Sequence, residues 1–215
     1  MVETKPIERL PVNEAFALPA GTEALDRAAE GLTRRGFDVK RARTGDEARD
    51  IVLAWLPDGA EVGQGASETL AEIGVTQEIE ESGKCDAIRP RTRAMDRATQ
   101  GREIRKLGSA PDYFVNSAQA ITENGEIVIA SNTGSQIGPI ASGAGKVILV
   151  VGSQKVVPDL ATAARRIDEY SYPLEDARFQ QLFGRRSAVR KELLLRGEFF
   201  PGRITVVLVN EPVGV

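Results

Sequence analysis

Three short apolar runs in the middle of the chain limit what it can fold into. They are rich in β-branched residues, have the length of single strands and are bounded by Gly, Asn and Ser. They cover residues 113–115, 127–130 and 147–151. Asn124 and Gly125, which both tolerate positive φ, favour a two-residue turn just before the second run. The region therefore predicts strands that include a β-hairpin around Asn124-Gly125.

Helical periodicity on both sides of this region predicts an α/β fold. An amphipathic pattern starts at Thr22, which we expect to cap a helix that ends at Gly36. Residues 44–47 have the spacing of a capping box and predict a second helix. Ile204–Val209 is almost continuously apolar, which is typical of a strand covered on both faces. The order of elements predicts a mostly parallel central sheet with helices on both faces.

Three further segments are predicted to be helical. Residues 92–107 are expected to form one charged helix, and Pro158-Asp159 opens another in which Arg165 and Arg166 point outward. Residues 170–173 are expected to break the chain there. Residues 175–196 are predicted to be helical in two pieces around Gly184. Their basic cluster is interpreted as a solvated helix face and consists of Arg185, Arg186, Arg190 and Lys191.

Composition narrows the class of protein. A net charge of -3 and a pI near 5.3 argue against a nucleic-acid or anionic-membrane binder. No apolar run approaches the ~20 residues of a membrane span, and the N-terminus lacks a signal-peptide pattern. With the lone Cys85, these features predict a cytoplasmic protein. Residues 1–20 are expected to form an extended arm and residues 21–215 a single domain, and the arm leaves a homodimer open.

The chain contains no histidine, which excludes several kinds of active site. A Ser-His-Asp triad, a Cys-His dyad and an imidazole metal site are all impossible. An iron–sulfur cluster needs about four thiolate ligands, and one cysteine cannot supply them. Any proton transfer must therefore use Asp, Glu, Lys or Tyr side chains.

Two loops rich in Gly and hydroxyl residues are candidate anion sites. Gly63-Gln64-Gly65-Ala66-Ser67 follows a short strand, and Thr133-Gly134-Ser135 follows the apolar run at 127–130. Glycines there would let an anion approach the free N–H groups of a helix start. The hydroxyl residues could equally be helix caps with no ligand. The first loop lacks the third glycine of a dinucleotide fingerprint and the lysine of a P-loop.

The sequence resembles the LUD-domain family of lactate-utilization proteins. The similar segments are residues 63–74, 112–115, 120–126, 133–135, 146–148, 155–157 and the late strand ending at 210–211. The resemblance spans about residues 20–212. It implies the NagB/RpiA/CoA transferase-like fold, in which loops at strand C-termini bind phosphate or nucleotide groups. This sequence differs from many members of the family at two places. It has Gln136 where they have a basic residue, and it lacks the asparagine that they often have after Pro173.

With this resemblance, the two loops predict a pocket for a small anionic metabolite. Glu123 is the nearest carboxylate for catalytic proton transfer, although its place beside the hairpin turn also suits an exposed turn residue. The residues expected to bind or orient the ligand are Gly63, Gly65, Ser67, Thr69, Asn116, Thr122, Asn132, Thr133, Gly134 and Ser135.

The resemblance implies an accessory protein or subunit in the oxidation of lactate to pyruvate. The redox centre would come from iron–sulfur lactate-utilization proteins, because no iron–sulfur cluster is expected in this chain. Whether the protein uses another cofactor is left open, and no metal site is predicted. Two alternatives stay open: a stand-alone isomerase, transferase or ATP-dependent cyclo-ligase on a phosphorylated, CoA-linked or folate substrate, and a metabolite-binding regulatory module without catalysis.

Overall fold

The computed structural model describes residues 9–215, and these form ten strands in two sheets. The strands are β1 (Asp38–Ala42), β2 (Glu61–Gln64), β3 (Asp86–Ala87), β4 (Tyr113–Asn116), β5 (Ala120–Thr122), β6 (Ile127–Ser131), β7 (Lys146–Gly152), β8 (Val156–Val157), β9 (Lys191–Leu195) and β10 (Ile204–Val209). The central sheet is parallel throughout, with the order β1-β10-β7-β4-β2-β3. The second sheet has the order β8-β5-β6-β9.

Eight α-helices surround these sheets in the described part of the chain. They are α1 (Thr22–Arg34), α2 (Gly45–Trp55), α3 (Glu68–Glu72), α4 (Val75–Glu81), α5 (Ile88–Arg93), α6 (Gly101–Ser109), α7 (Leu160–Arg166) and α8 (Tyr172–Phe183). None of the helices within residues 9–215 combines the length and apolar character needed to cross a membrane.

Strand β7 shows how the central sheet is buried on both faces. Val147, Leu149 and Val151 face a core that includes α1. Ile148 and Val150 face a second core that includes α2, α3 and α4. Because successive side chains of a strand point to opposite faces, an uninterrupted apolar run is what a doubly covered strand requires. The predicted parallel sheet with helices on both faces is confirmed.

The four-stranded second sheet lies between the first core and α7, and the sequence did not predict it. Ile121 and Ile129 pack into the core shared with α1. Ala120 and Val128, on the opposite face, pack with Ile167 just beyond α7. The sequence predicted β6 and its hairpin with β5, but β8 has only two residues, too short for periodicity to reveal, and β9 lies in a segment predicted to be helical.

The hairpin between β5 and β6 is present, but its turn is not the predicted one. The N–H of Gly125 donates to the carbonyl of Thr122 at 2.8 Å, and the N–H of Thr122 donates to the carbonyl of Glu126 at 2.9 Å. Gly125 has φ +87°, and no non-glycine residue in the described chain has positive φ. The connection is therefore a three-residue loop ending in a left-handed glycine. The predicted two-residue turn is wrong.

Two helices have side-chain caps where the sequence predicts that they begin. The Thr44 hydroxyl accepts from the Glu47 N–H at 3.2 Å, and the Asp159 carboxylate accepts from the Thr162 N–H at 2.7 Å. At α1 the prediction is wrong, because Gly21 is the capping residue and Thr22 is the first residue of the helix.

Two helix predictions fail because of local and tertiary contacts. Residues 92–107 do not form one helix: the Asp96 carboxylate accepts from the Ala98 N–H and the Thr99 hydroxyl, which ends α5 and delays α6. Lys191–Leu195 is a strand rather than a helix, since pairing with β6 outweighs the helix propensity of its leucines. The basic cluster is therefore not a helix face.

Arg166 is fully buried, which contradicts its predicted outward orientation. It lies three residues after the buried Ala163 and thus on the same face of α7. Arg165 is exposed, as predicted. The expected break at 170–173 is also absent, because a π-helical turn at Ile167–Ser171 joins α7 to α8.

The described part of the N-terminal arm, residues 9–20, lies along the body of the protein. The N–H of Asn13 donates to the carbonyl of Glu169 at 2.8 Å, and the N–H of Ala20 donates to the carbonyl of Ser153 at 3.3 Å. Residues 1–8 of the expected arm lie outside the described residues.

Replacing the hairpin glycine tests this close packing. Gly125→Ala should lower the free energy of unfolding by about 3 kcal/mol or more, because the new Cβ would meet the backbone of Gly31 and Leu32. The control Gly83→Ala has a similar φ of +71° but open space around it. Its free energy of unfolding should fall by only about 1–2 kcal/mol, the cost of placing a residue other than glycine in the left-handed region. Equal losses in urea unfolding would contradict the packing argument.

Candidate functional site

The carboxyl ends of the parallel strands meet at one edge of the central sheet. Strands β2, β4 and β7 end at Gln64, Asn116 and Gly152. In open α/β sheets this edge is where ligands bind. The segments that follow these strands contribute Thr69, Ser117 and Lys155 to a shared polar group of side chains.

We call this group, Lys155 with Thr69 and Ser117, the lysine centre. The Lys155 Nζ lies 2.7 Å from the Thr69 Oγ1 and 3.1 Å from the Ser117 Oγ. The two hydroxyls are 3.3 Å apart. All three residues are buried, and Lys155 is only 1% exposed. A primary amine is thus held against two hydroxyls away from solvent.

Lys155 has no carboxylate partner among residues 9–215. The nearby Glu72 makes no ion pair with it, but its negative charge acts to raise the pKa of the amine. Burial and the positive charge of Arg166 lower the pKa of Lys155 from 10.5 to about 7. The amine can therefore change its charge near neutral pH.

Arg166 is a second buried cation beside the centre. Its Nε donates to the carbonyl of Gln154 at 3.1 Å, and its Nη1 donates to that of Gln119 at 2.5 Å. Its guanidinium lies 5.1 Å from the centre of the Tyr170 ring. Within the described chain, Nη2 has no hydrogen-bond acceptor. Burial lowers the pKa of Arg166 to about 10, so it stays charged at neutral pH.

Residues 211–215, here called the tail, cover the lysine centre. The Gln154 amide donates to the carbonyls of Val213 and Gly214 at 3.0 and 2.8 Å. The N–H of Gly214 donates to Glu72 at 2.8 Å. Gly214 has φ +66° and lies so close to Thr69 that no side chain fits between them. The tail therefore closes the centre with a few hydrogen bonds and the buried Val213 side chain.

The first predicted loop adjoins the centre. Gly63 is inside β2, and Gly65 lies against the Asn116 side chain, where an added Cβ would meet both amide atoms at 3.0 Å. The Ser67 hydroxyl accepts from the Leu70 N–H at 3.3 Å and so caps α3. Of the predicted ligand-binding residues, only Thr69 belongs to the lysine centre.

The second predicted loop is not bonded to the centre within the described chain. The N–H groups of Gly134 and Ser135 donate to the hydroxyls of Ser131 and Thr133, at 2.9 and 3.3 Å. These amides are therefore already satisfied. Lys191 donates to the Thr133 carbonyl at 2.7 Å. Neither hydroxyl of the loop caps the following helical turn, which begins later in the chain.

Further polar contacts hold this second loop in place. The Asn132 side chain contacts Arg190 at 2.5 Å and Ser187 at 3.3 Å. Helix α8 contacts residues next to both loops: its Asp176 accepts from the N–H of Ser187, which bonds to Asn132, and its Arg178 pairs with Glu68, the first residue of α3, at 3.1 Å.

Thr122 and Glu123 lie at the opposite end of β5 from Ser117. The Thr122 hydroxyl bonds to the Glu126 carboxylate. The Glu123 carboxylate pairs with Arg27 at 2.5 Å. Strand β5 therefore carries both residues away from the lysine centre, and the structure does not bring them together with Thr69 and Asn116.

Sequence reasoning missed Lys155 and Ser117 as site residues. Lys155 appeared only within the resemblance at residues 155–157. A usable signal was its position in a stretch, residues 147–157, that is otherwise apolar or uncharged. A lysine there must either leave the core or be buried, and buried lysines are rare without a partner.

The fold and the centre define an α/β protein with a buried polar site at the carboxyl edge of a parallel sheet. Residues 25–209 match the LUD domain. The chain belongs to the LUD domain family. Membership supports a general role related to lactate utilization. A search of curated proteins gave no match.

One solved structure supports the fold. The chain is similar to a DUF162 family protein from Deinococcus radiodurans, with 12% identity, 93% of this chain and 99% of that chain covered, and a TM-score of 0.54. At this identity the likeness shows the fold alone. A weaker similarity, to eIF2B delta from Chaetomium thermophilum, has 14% identity, 67% and 58% coverage and a TM-score of 0.34.

The lowered pKa of Lys155 predicts a pH-dependent stability. Between pH 7 and 10.5 the unfolded chain keeps the proton that the folded protein has lost. Stability should therefore rise with pH across this window, by up to about 1.4 kcal/mol per pH unit, and this contribution should be flat below the folded pKa. Lys155→Met should remove the rise, whereas Lys106→Met, at an exposed lysine, should keep it. If the free energy of unfolding in urea rose with pH by the same amount in the wild type and in Lys155→Met, the burial argument would be contradicted.

Replacing Gly214 should release the tail. Gly214→Ala introduces a Cβ that would meet Thr69 at a φ of +66°. Hydrogen exchange should become faster around residues 69–72 and 153–155, with the two sheets still protected. The matched control is Gly184→Ala, which has φ +65° and open space. Unchanged exchange in Gly214→Ala would show that the tail does not depend on this contact.

Proposed function

We propose that this protein is a lactate-utilization protein that acts as an accessory factor or subunit in the oxidation of lactate to pyruvate. In this proposal it binds a small anionic metabolite at the lysine centre. Membership of the LUD domain family supports the metabolic setting. The single cysteine cannot hold an iron–sulfur cluster, so iron–sulfur lactate-utilization proteins would supply the redox centre.

The observation that carries the proposal is the buried amine of Lys155. A buried ammonium with no anionic partner is destabilising, and a carboxylate ligand would balance its charge. The Thr69 and Ser117 hydroxyls can donate to the same carboxylate. The positive charge of Arg166 favours an anion at this place as well.

The ligand would enter at the carboxyl edge of the sheet. Asn116, which directly precedes Ser117, and Gly65, which lies against the Asn116 side chain, would form its rim. The tail covers the opening, so binding would require it to move. The hydroxyl loop at Thr133–Ser135 has its amides occupied, and a role for it in this proposal would be secondary.

A binding experiment tests the anion site. Isothermal titration with L-lactate and with pyruvate should show binding to the wild type, and Lys155→Met should bind at least about tenfold more weakly, because a charged hydrogen bond contributes about 1.5–3 kcal/mol. Methionine has nearly the shape of lysine without its charge. Lys106→Met is the control and should bind like the wild type. Equal affinities for all three proteins would overturn the site.

The accessory role has a separate test. Purified protein alone should not reduce a redox dye in the presence of lactate, and activity should require added iron–sulfur partner proteins. Lactate-dependent dye reduction by the isolated protein would contradict the accessory role and leave the anion site standing.

A second candidate is a stand-alone enzyme, an isomerase, transferase or ATP-dependent cyclo-ligase. The observation in its favour is the amine hydrogen-bonded to two hydroxyls, an arrangement that can transfer protons or provide a nucleophile. Thermal stabilisation by Mg-ATP, CoA esters, folates or sugar phosphates, with no stabilisation by lactate or pyruvate, would favour it. A regulatory module without chemistry would be stabilised by a metabolite in the absence of any turnover.

A further inference from the structure

The lysine centre contains chemistry that anion binding alone does not use. The Lys155 Nζ has two hydroxyls within 3.1 Å, and no carboxylate among residues 9–215 forms an ion pair with it, so burial and the charge of Arg166 outweigh the opposing charge of Glu72. An uncharged primary amine in such a place is a nucleophile as well as a hydrogen-bond donor.

We infer that the Lys155 amine forms an imine with the carbonyl carbon of an α-oxo acid, the product class of 2-hydroxy acid oxidation. This inference rests on the proposed function, because it places a ligand of the same metabolism at the same centre. Lys155 would then distinguish the oxo acid from the hydroxy acid, which has no carbonyl at C2 and cannot condense with an amine.

The reaction balances without an oxidant or a reductant. The nitrogen lone pair attacks C2, a C–N bond forms, and the carbonyl electrons move to the oxygen. One proton passes from nitrogen to that oxygen and gives a carbinolamine. The C–O bond then breaks and the oxygen leaves as water with a second proton from nitrogen. The sum is amine plus oxo acid to imine plus water.

The two hydroxyls suit the proton transfers of this reaction. Each is a donor and an acceptor, and both lie within hydrogen-bond reach of the nitrogen that must lose protons. They are also 3.3 Å from each other, so a proton can pass between them. Thr69 and Ser117 would therefore carry protons from nitrogen to the departing oxygen.

Charge at the centre favours the same ligand. With a pKa of about 7, a large fraction of Lys155 is uncharged at neutral pH. Arg166 keeps its charge and lies close enough to lower that pKa. Its Nη2 is buried without an acceptor in the described chain. The guanidinium would attract the carboxylate of the oxo acid while the amine reacts with its carbonyl.

Trapping of the imine tests the inference directly on the wild-type protein. The full chain is incubated with pyruvate and sodium cyanoborohydride at neutral pH, and labelled lysines are identified by peptide mass mapping. The expected product carries one adduct on Lys155, equal in mass to pyruvic acid less one oxygen atom. Labelling of Lys155 should exceed that of the exposed Lys106 by about tenfold or more, because the lowered pKa of Lys155 leaves much of its amine uncharged at neutral pH. L-Lactate in place of pyruvate should give no adduct.

The variants separate imine formation from anion binding. Lys155→Arg keeps the positive charge but cannot form the imine, so it should lose the adduct. Gly214→Ala should label faster than the wild type, because its tail is displaced from Thr69, whereas Gly184→Ala should label like the wild type.

Two outcomes would overturn the inference in different ways. Pyruvate binding in titration without a Lys155 adduct, or with equal labelling of exposed lysines, would refute the imine and leave the proposed function intact. No binding of either pyruvate or lactate would refute the proposed function and the imine together.

Discussion

Burial of the Lys155 amine at the carboxyl edge of the parallel sheet is the constraint on which the site depends. Strand β7 is covered on both faces, so the chain that leaves it has no route to solvent before residue 155. Burying an ammonium costs several kcal/mol, and two neutral hydroxyls offset only part of this. The centre is therefore stable when the amine is uncharged or when an anion joins it. A purely structural lysine would be expected to pair with a carboxylate.

The two buried cations have different contacts and so different roles. Arg166 donates to main-chain carbonyls of Gln119 and Gln154, which ties the segment before β5 to the segment before β8. Those acceptors are fixed, and they fix the guanidinium. Within residues 9–215, the Lys155 amine hydrogen-bonds only to side-chain hydroxyls, whose hydrogens can turn. Arg166 thus holds the architecture and a steady positive charge, while Lys155 can exchange protons within it.

The sequence predicted those parts of the fold that depend on local pattern. Continuous apolar runs predicted β7 and β10 as strands, and the capping residues of α2 and α7 followed from their side chains. The site could not be predicted in the same way, because Lys155 is 86 residues from Thr69 and 38 from Ser117. Only the tertiary fold joins them. Arg166 was mispredicted since an arginine on a helix usually faces solvent, and its carbonyl partners lie on other segments.

The polar side chains of the lysine centre and the tail that covers them come from different parts of the chain. Thr69, Ser117 and Lys155 all lie within residues 25–209, the range that matches the LUD domain. The tail at residues 211–215 lies just beyond that range and is held by Gln154 and Glu72. Val213 inserts into the core that β4 and β7 also line, so opening the tail would remove one buried side chain and a few hydrogen bonds. In the proposed function, the three side chains would stay in place beside the sheet while movement of the tail would admit the ligand.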